Sequence, residues 1–145
     1  MRKARAAAGT SALDENAVED AMHRGVVTCA LEAPLAEVAH LLAKHRVHCV
    51  VGYGDATEDD TQTWGVVSDL DLVSAAAHGG IEGVSAGAAA ATEPLTIEPQ
   101  ASLAEAARLM REYAAAHLLV VEPGADRPVG VLSTLDVARV LASRL

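Results

Sequence analysis

The sequence has few of the aromatic side chains that commonly fill protein interiors. Its 145 residues include no Phe, one Trp and two Tyr, although 51% of them are hydrophobic. Ala, Val and Leu must therefore supply the core, which favours small, closely packed contacts between helices and strands. At this length the chain forms one compact domain or two small half-domains that share a core.

Long apolar runs, paired cysteines and positive charge are also scarce. No run reaches the roughly 18 uninterrupted apolar residues that span a membrane, and the first residues lack a secretory apolar segment. We therefore expect a cytoplasmic protein. Cys29 and Cys49 do not have CxxC spacing, and a chain of this size needs no disulfide. The net charge of −9 argues against binding to nucleic acid polymers or to anionic membranes.

Catalytic and metal-binding motifs are missing as well. The serines and histidines form no G-x-S-x-G elbow or comparable signature, so we predict no catalytic residue and no enzymatic activity. Neither cysteine pairs with a ligand in a short CxxC or HxxxH arrangement, so we predict no metal site. Cys29 and Cys49 lie on apolar segments and are interpreted as buried thiols.

A long internal repeat is present. The segments GVVSDLDL (65–72) and GVLSTLDV (130–137) are identical at five of eight positions. Upstream, the segments LAEVAHLL (35–42) and LAEAARLM (103–110) are again identical at five of eight positions, at a spacing of 68. A duplication of this length predicts two structurally equivalent units, each with the same hydroxyl and carboxylate.

Isolated residues extend the repeat. Thr28 and Thr96 share the spacing of 68, and His48 and His117 lie 69 apart. We interpret the two histidines as matching strand positions, with one residue inserted before His117. The remaining length difference is assigned to a Gly-rich and acidic loop over 52–63.

Each copy predicts the element order β-α-β-β-α. Apolar spacing and capping residues predict, in the first copy, a lead-in helix within 16–22, strand 26–29, a helix from Pro34, strands 48–51 and 64–67, and helix 69–77 capped by Ser68. In the second they predict a lead-in helix at 86–91, strand 95–97, helix 102–113, strands 117–121 and 129–132, and helix 133–141. Strands and helices at this spacing favour an α/β or α+β fold. We divide the chain into a flexible N-terminal arm (1–13), a first repeat (14–80) and a second repeat (81–145).

With G-h-h-S-x-x-D-h, where h is apolar, at the last strand-to-helix junction of each copy, the chain resembles a tandem pair of CBS domains, named for cystathionine β-synthase. The resemblance covers residues 16–145. It implies two β-α-β-β-α repeats packed sheet to sheet as one pseudo-two-fold Bateman module. It also implies a stand-alone regulatory module, usually a homodimer, whose clefts bind an adenosine compound such as AMP, ATP or S-adenosylmethionine. No cofactor is required.

The motif residues suit such a ligand. A Ser at the end of a strand, with the free N–H groups of the next helix, can receive phosphate, and the Asp three residues on can accept bonds from both ribose hydroxyls. The predicted ligand-binding residues are Thr28, Arg46, Val66, Ser68, Asp71, Thr96, Val131, Ser133, Thr134 and Asp136.

One pocket is favoured over its twin. Thr134 replaces the anionic Asp69 of the first copy, so we expect the occupied pocket to combine Ser133 and Asp136 with Arg46 from the other half. Cations are few, which favours AMP over ATP. On this basis Asp136→Ala should weaken AMP binding more than Asp71→Ala.

The serines, the aspartates and Arg46 also have an explanation without a ligand. Ser68 and Ser133 suit plain helix caps, the aspartates suit the first turn of any helix, and Arg46 suits a solvated surface. The alternative function is therefore a ligand-free dimerisation or scaffold module that engages an unknown protein partner. The number of basic residues that face the cleft separates the two hypotheses.

Overall fold

The computed structural model describes residues 12–56, 62–90, 94–125 and 127–144. Its helices and strands, in chain order, are α1 (Val18–Ala21), β1 (His23–Arg24), β2 (Thr28–Ala30), α2 (Leu35–His45), β3 (Cys49–Ala56), β4 (Gln62–Ser68), α3 (Asp69–His78), α4 (Ala86–Ala89), β5 (Thr96–Ile97), α5 (Leu103–Tyr113), β6 (His117–Val121), β7 (Pro128–Ser133) and α6 (Thr134–Ala142). The expected mixture of helices and strands is confirmed, and no helix among the described residues is long and apolar enough to cross a membrane.

The chain divides into two compact units that do not follow the order of the repeats. Val26–Pro94 forms the first-repeat unit, and Met1–Gly25 joins Leu95–Leu145 in the second-repeat unit. The lead-in segment of each repeat thus packs with the body of the other repeat. Of the predicted arm at 1–13, residues 1–11 lie outside the described residues, whereas Ala12 is buried.

The first-repeat unit has a three-stranded sheet with the order β2-β3-β4. β2 and β3 are parallel, and β3 and β4 are antiparallel. The predicted apolar stripe of α2 packs on one face of this sheet, where Leu35 and Val38 are fully buried against Val50 and Val67. Ala86 of α4 completes this core, and its N–H donates to the Ala33 carbonyl.

The hairpin of β3 and β4 is longer than the sequence suggested. Strand β3 continues to Ala56 and β4 begins at Gln62, so residues 52–56 and 62–63 of the predicted loop over 52–63 belong to strands. Gly52 and Gly54 are buried in β3 rather than exposed in a turn. The Leu31 side chain packs on Gly52, since a Cβ on Gly52 would lie 2.7 Å from Leu31 Cδ2.

The second-repeat unit has a four-stranded sheet with the order β1-β7-β6-β5. β5 and β6 are parallel, and the other neighbours are antiparallel. Its core joins Val18 of α1 to side chains of α5 and the sheet, including Leu103, Leu118 and Leu132.

Strand β1 was absent from the sequence prediction. It pairs with β7 through His23 opposite Val131 and Arg24 opposite Gly130. A Cβ on Gly130 would lie 2.5 Å from the His23 carbonyl oxygen, so only glycine fits this close approach of two backbones.

Sheet register corrects the predicted equivalence of His48 and His117. Cys49 lies opposite Ser68, and His117 lies opposite Ser133, so His117 corresponds to Cys49. The His48 carbonyl accepts the N–H of Asp69, as the Ala116 carbonyl accepts that of Thr134. The spacing of 68 therefore continues into β6, and the length difference falls in the β3–β4 hairpin.

Candidate functional site

In the first-repeat unit, two of the predicted ligand-binding residues lie in one row across the sheet with a neighbouring valine. Thr28, Val51 and Val66 lie side by side on β2, β3 and β4. Val50 and Val67, one residue away, belong to the helix-packed core. Because successive side chains of a strand point to opposite faces, Thr28, Val51 and Val66 form a row on the face away from that core.

The second-repeat unit has the matching row. Thr96, Leu119 and Val131 lie side by side on β5, β6 and β7, and His23 extends the row on β1. Leu118 belongs to the core, so this row also lies on the opposite face. Two pairs of predicted residues, one threonine and one valine per repeat, are thus brought to equivalent places.

Each row is followed by a reciprocal helix cap. Ser68 Oγ accepts the Asp71 N–H at 3.1 Å, and Asp71 Oδ2 accepts the Ser68 N–H at 3.0 Å. Ser133 and Asp136 repeat the arrangement at 3.2 and 2.8 Å. The capping interpretation of these four residues is confirmed, and the caps hold both carboxylates at the beginning of α3 and α6.

The two carboxylates differ in their other partners. Asp136 Oδ1 lies 3.1 Å from His23 Nδ1 and accepts a bond from Arg139 at 3.2 Å. Its Oδ2 accepts the Ser133 N–H, and the Asp136 side chain is only 1% exposed. Both oxygens are therefore engaged within the second-repeat unit, and little of this carboxylate is accessible to a ligand.

Asp71 is more accessible. It is half-buried, and among the described residues only its Oδ2 has a hydrogen-bond partner, the Ser68 N–H. The position of Arg139 is taken by Ser74 in the first repeat, at the spacing of 65 that relates α3 and α6. Oδ1 of Asp71 thus retains the ability to accept hydrogen bonds from a bound molecule.

Asp69 and His48 are in contact at the beginning of α3. Asp69 Oδ1 accepts the Leu70 N–H, and Asp69 Oδ2 lies 2.9 Å from His48 Nδ1. Arg46 is exposed, ends α2 in the left-handed conformation (φ 54°) and lies two residues before His48. Arg46 therefore belongs to the same unit as Asp71, whereas Asp136 belongs to the other.

Two of the closest partners of Asp136 were not predicted from the sequence. Arg139 was visible as the residue three positions after Asp136 on α6, a spacing that places two helical side chains together. His23 had no such signal, because it approaches Asp136 only when β1 pairs with β7. With Asp20 and Ser143, these residues line a cavity of about 300 Å³.

A second cavity in the same unit is acidic. It has a volume of about 400 Å³ and lies beside Thr96, with Glu98, Glu105 and Glu122 in its wall. Its charge does not suit phosphate. No group of three or more His, Cys, Asp or Glu side chains within residues 12–56, 62–90, 94–125 and 127–144 is arranged to hold a metal ion.

The cysteines are protonated thiols at neutral pH. Burial, followed by the negative charge of Asp69, raises the pKa of Cys49 to about 11. Burial and then Glu37 also raise the pKa of Cys29, which is only partly buried. Neither thiol has the lowered pKa of a reactive nucleophile.

Comparison with known proteins agrees with this geometry. The CBS domain family model matches residues 18–78 and again residues 86–143. The chain therefore belongs to the CBS domain family and is a tandem pair of these domains. No curated protein sequence matches it.

Solved structures of CBS proteins have the same fold. A CBS domain protein from Pyrobaculum aerophilum, complexed with AMP, is 28% identical, with a TM-score of 0.73 over 88% of this chain and 99% of that one. Hypoxic Response Protein I, with two coordinated zinc ions, is 25% identical, with a TM-score of 0.68 over 86% and 98%. A CBS-domain containing protein from Agrobacterium tumefaciens is 24% identical, with a TM-score of 0.72 over 86% and 92%.

Proposed function

We propose that this CBS pair is a regulatory, non-catalytic module that binds an adenosine mononucleotide such as AMP, with the ribose at Asp71 of the first-repeat unit. The observation that carries the proposal is the Asp71 carboxylate, whose Oδ1 has no hydrogen-bond partner among the described residues. A neighbour that is 28% identical is complexed with AMP, which supports this class of ligand.

The residues around Asp71 fit the parts of such a ligand. Asp71 accepts bonds from the ribose hydroxyls, and the Ser68 hydroxyl, at the N-terminal end of α3, donates to the phosphate. Thr28 and Val66, on the same sheet face, supply a polar and an apolar contact for the base.

The charges near α3 favour a monophosphate over a polyphosphate. Arg46 is the basic residue that we assign to the phosphate, and Asp69 Oδ2 lies 2.9 Å from His48 Nδ1. A triphosphate brings several negative charges to a chain whose net charge is −9, with few cations to compensate them. We therefore keep AMP as the preferred ligand over ATP and S-adenosylmethionine.

The second-repeat residues form the weaker candidate. Thr96, Val131, Ser133 and Thr134 match the first site in position, but Asp136 is enclosed by His23 and Arg139. This enclosure reverses the preference that Thr134 suggested, because a ribose must first displace a charged partner of Asp136.

Isothermal titration of the protein with AMP tests the proposal. We expect Asp71→Ala to lower the affinity at least tenfold, since two hydrogen bonds to a charged oxygen are lost. Asp136→Asn, which keeps the size of the side chain, is the matched control and should leave the affinity within about twofold. The proposal fails if millimolar AMP does not bind, or if Asp136→Asn weakens binding more than Asp71→Ala.

A separate observation favours the dimerisation function. Leu70 and Val73, three residues apart on α3, are 70% and 61% exposed, which is unusual for large apolar side chains on one helical face. We propose that this face joins two copies of the chain in a homodimer. Light scattering after gel filtration should give a dimer mass that Leu70→Glu reduces to that of a monomer, and a monomeric wild type would exclude it.

A further inference from the structure

The first-repeat unit contains two of the three aromatic residues of the chain, and they are neighbours. Tyr53 of β3 lies directly opposite Trp64 of β4, while the third aromatic, Tyr113, ends α5 in the second-repeat unit. The pair stands two residues along the strands from Val51 and Val66, about 7 Å for an extended chain.

The aromatic pair lies on the same sheet face as Thr28, Val51 and Val66. The register from Cys49 opposite Ser68 to Tyr53 opposite Trp64 is unbroken, so side chains two residues apart share a face. Between the two rows, Gly52 and Gly65 face the helical side, since a Cβ on Gly65 would meet Ala90 of the core at 3.7 Å.

A core function does not account for the pair. Tyr53 and Trp64 are partly exposed, and neither belongs to the apolar cluster that Leu35, Val50 and Val67 form. Cross-strand aromatic pairs do stabilise hairpins. The second repeat, however, has Val121 and Val129 at the corresponding sequence positions, and Val121 pairs with Pro128, so the equivalent hairpin forms without an aromatic pair.

We infer that Tyr53 and Trp64 form an aromatic wall for the base of the nucleotide, so that the site selects ligands with an aromatic base over ribose phosphates without one. The inference rests on the proposed ribose site at Asp71. Trp64 and Ser68 are four residues apart on β4, roughly 13 Å of extended strand, which matches a mononucleotide laid from base to phosphate. An aromatic side chain stacks on the π-face of a base.

Trp64 is the single tryptophan of the chain, so its fluorescence reports on this wall directly. We expect AMP to change the Trp64 emission of the wild type as it saturates the site. Tyr53→Val and Trp64→Val, which introduce the residues of the second repeat, should each weaken AMP binding about 5- to 150-fold in titration calorimetry. Neither substitution should change the affinity for ribose 5-phosphate.

Two further substitutions distinguish a loss of base stacking from a loss of folding stability. Tyr113→Val removes an exposed aromatic from the other unit and should leave AMP affinity and emission unchanged. Trp64→Phe keeps a ring and should retain most of the affinity even if Trp64→Val does not fold.

The outcomes distinguish this inference from the proposed function. If AMP binds in an Asp71-dependent manner but Trp64→Val binds it as tightly as the wild type, the aromatic wall is excluded and the nucleotide site stands. Equal affinity of the wild type for AMP and ribose 5-phosphate also excludes the wall. If the wild type binds no AMP and its emission does not change, both proposals fall.

Discussion

Asp71 and Asp136 occupy the same position of a duplicated motif but have different surroundings. Each carboxylate accepts the N–H of the serine three residues earlier and so completes a helix cap. Only Asp136 gains a histidine and an arginine, which engage both oxygens and leave the side chain 1% exposed. At the residue scale, the symmetry of the repeat therefore extends to the backbone of the motif but not to the chemistry of its carboxylate.

The residue after each capping serine should control phosphate affinity. Asp69 places a negative charge at the beginning of α3, where the second repeat has Thr134. We expect Asp69→Thr to strengthen AMP binding about two- to fivefold, the usual size of a charge effect at a helix N-terminus. Calorimetry with adenosine, which lacks the phosphate, is the control. An equal gain for adenosine would show that Asp69 does not act through charge.

The buried thiol of Cys49 should make stability depend on alkaline pH. Its pKa in the folded chain is about 11, above the ordinary thiol value, so the unfolded chain loses this proton first as the pH rises. The free energy of unfolding is therefore unaffected by this thiol at pH 8 and is lower by about 1 kcal/mol at pH 10, where the thiol ionises in the unfolded chain only. Urea unfolding of the wild type and Cys49→Val at pH 8 and pH 10 measures the difference, and a difference that is independent of pH would contradict the raised pKa.

At the scale of elements, β1 is the strand that the β-α-β-β-α repeat does not predict. It is two residues long, and both side chains are exposed, so it carries no apolar pattern. Its pairing with β7 nevertheless brings His23 to Asp136 and requires a glycine at position 130. The glycines that open the two motifs thus serve different purposes, since a methyl group on Gly65 would make only ordinary van der Waals contacts.

A pair of glycine substitutions tests this difference. Gly130→Ala puts a methyl group 2.5 Å from the His23 carbonyl oxygen and should cost about 1–3 kcal/mol of unfolding free energy. Gly65→Ala meets nothing closer than 3.7 Å and should change stability by less than about 0.5 kcal/mol. Urea denaturation compares the two. Equal effects would show that β1 does not pack tightly on β7.

At the scale of the whole molecule, the repeats of the sequence and the packed units are different divisions of the chain. The Leu35 N–H donates to the Val84 carbonyl, and Ala86 is fully buried in the first-repeat core. Val18, in turn, is fully buried in the second-repeat core. A boundary drawn near residue 80 therefore cuts through one core, and a start at residue 14 includes a helix that packs in the other.

Two fragments of nearly equal length should behave differently. Residues 26–94 contain every described member of the first-repeat core, whereas residues 14–80 lack five of them: Ile81, Val84, Ala86, Ala89 and Ala90. We expect fragment 26–94 to unfold cooperatively in urea, and fragment 14–80 to be less stable, by about 1 kcal/mol or more for each apolar side chain lost. Circular dichroism follows both transitions. A fragment 14–80 of equal stability would contradict the exchange of lead-in segments.

Much of the fold was predictable from local patterns. The 3.6-residue spacing of Leu35 and Val38 marked α2, and the apolar run 117–121 marked β6. Serines that cap helices were recognisable because their partners lie three residues away. The equivalence of His48 and His117 was wrong, since identical letters one residue out of register look like an insertion until strand pairing fixes the alignment.

The sequence by itself determined the β-α-β-β-α order of each repeat, both capping motifs and the resemblance to CBS domains, because the helices, strands and caps depend on hydrogen bonds and apolar contacts between near neighbours. Only the tertiary structure decided which carboxylate stays accessible and which segments share a core. The contact of His23 with Asp136 joins residues 113 positions apart, and the row that ends in Tyr53 and Trp64 depends on strand register. Such contacts form only when the whole sheet forms, so no local sequence pattern predicts them.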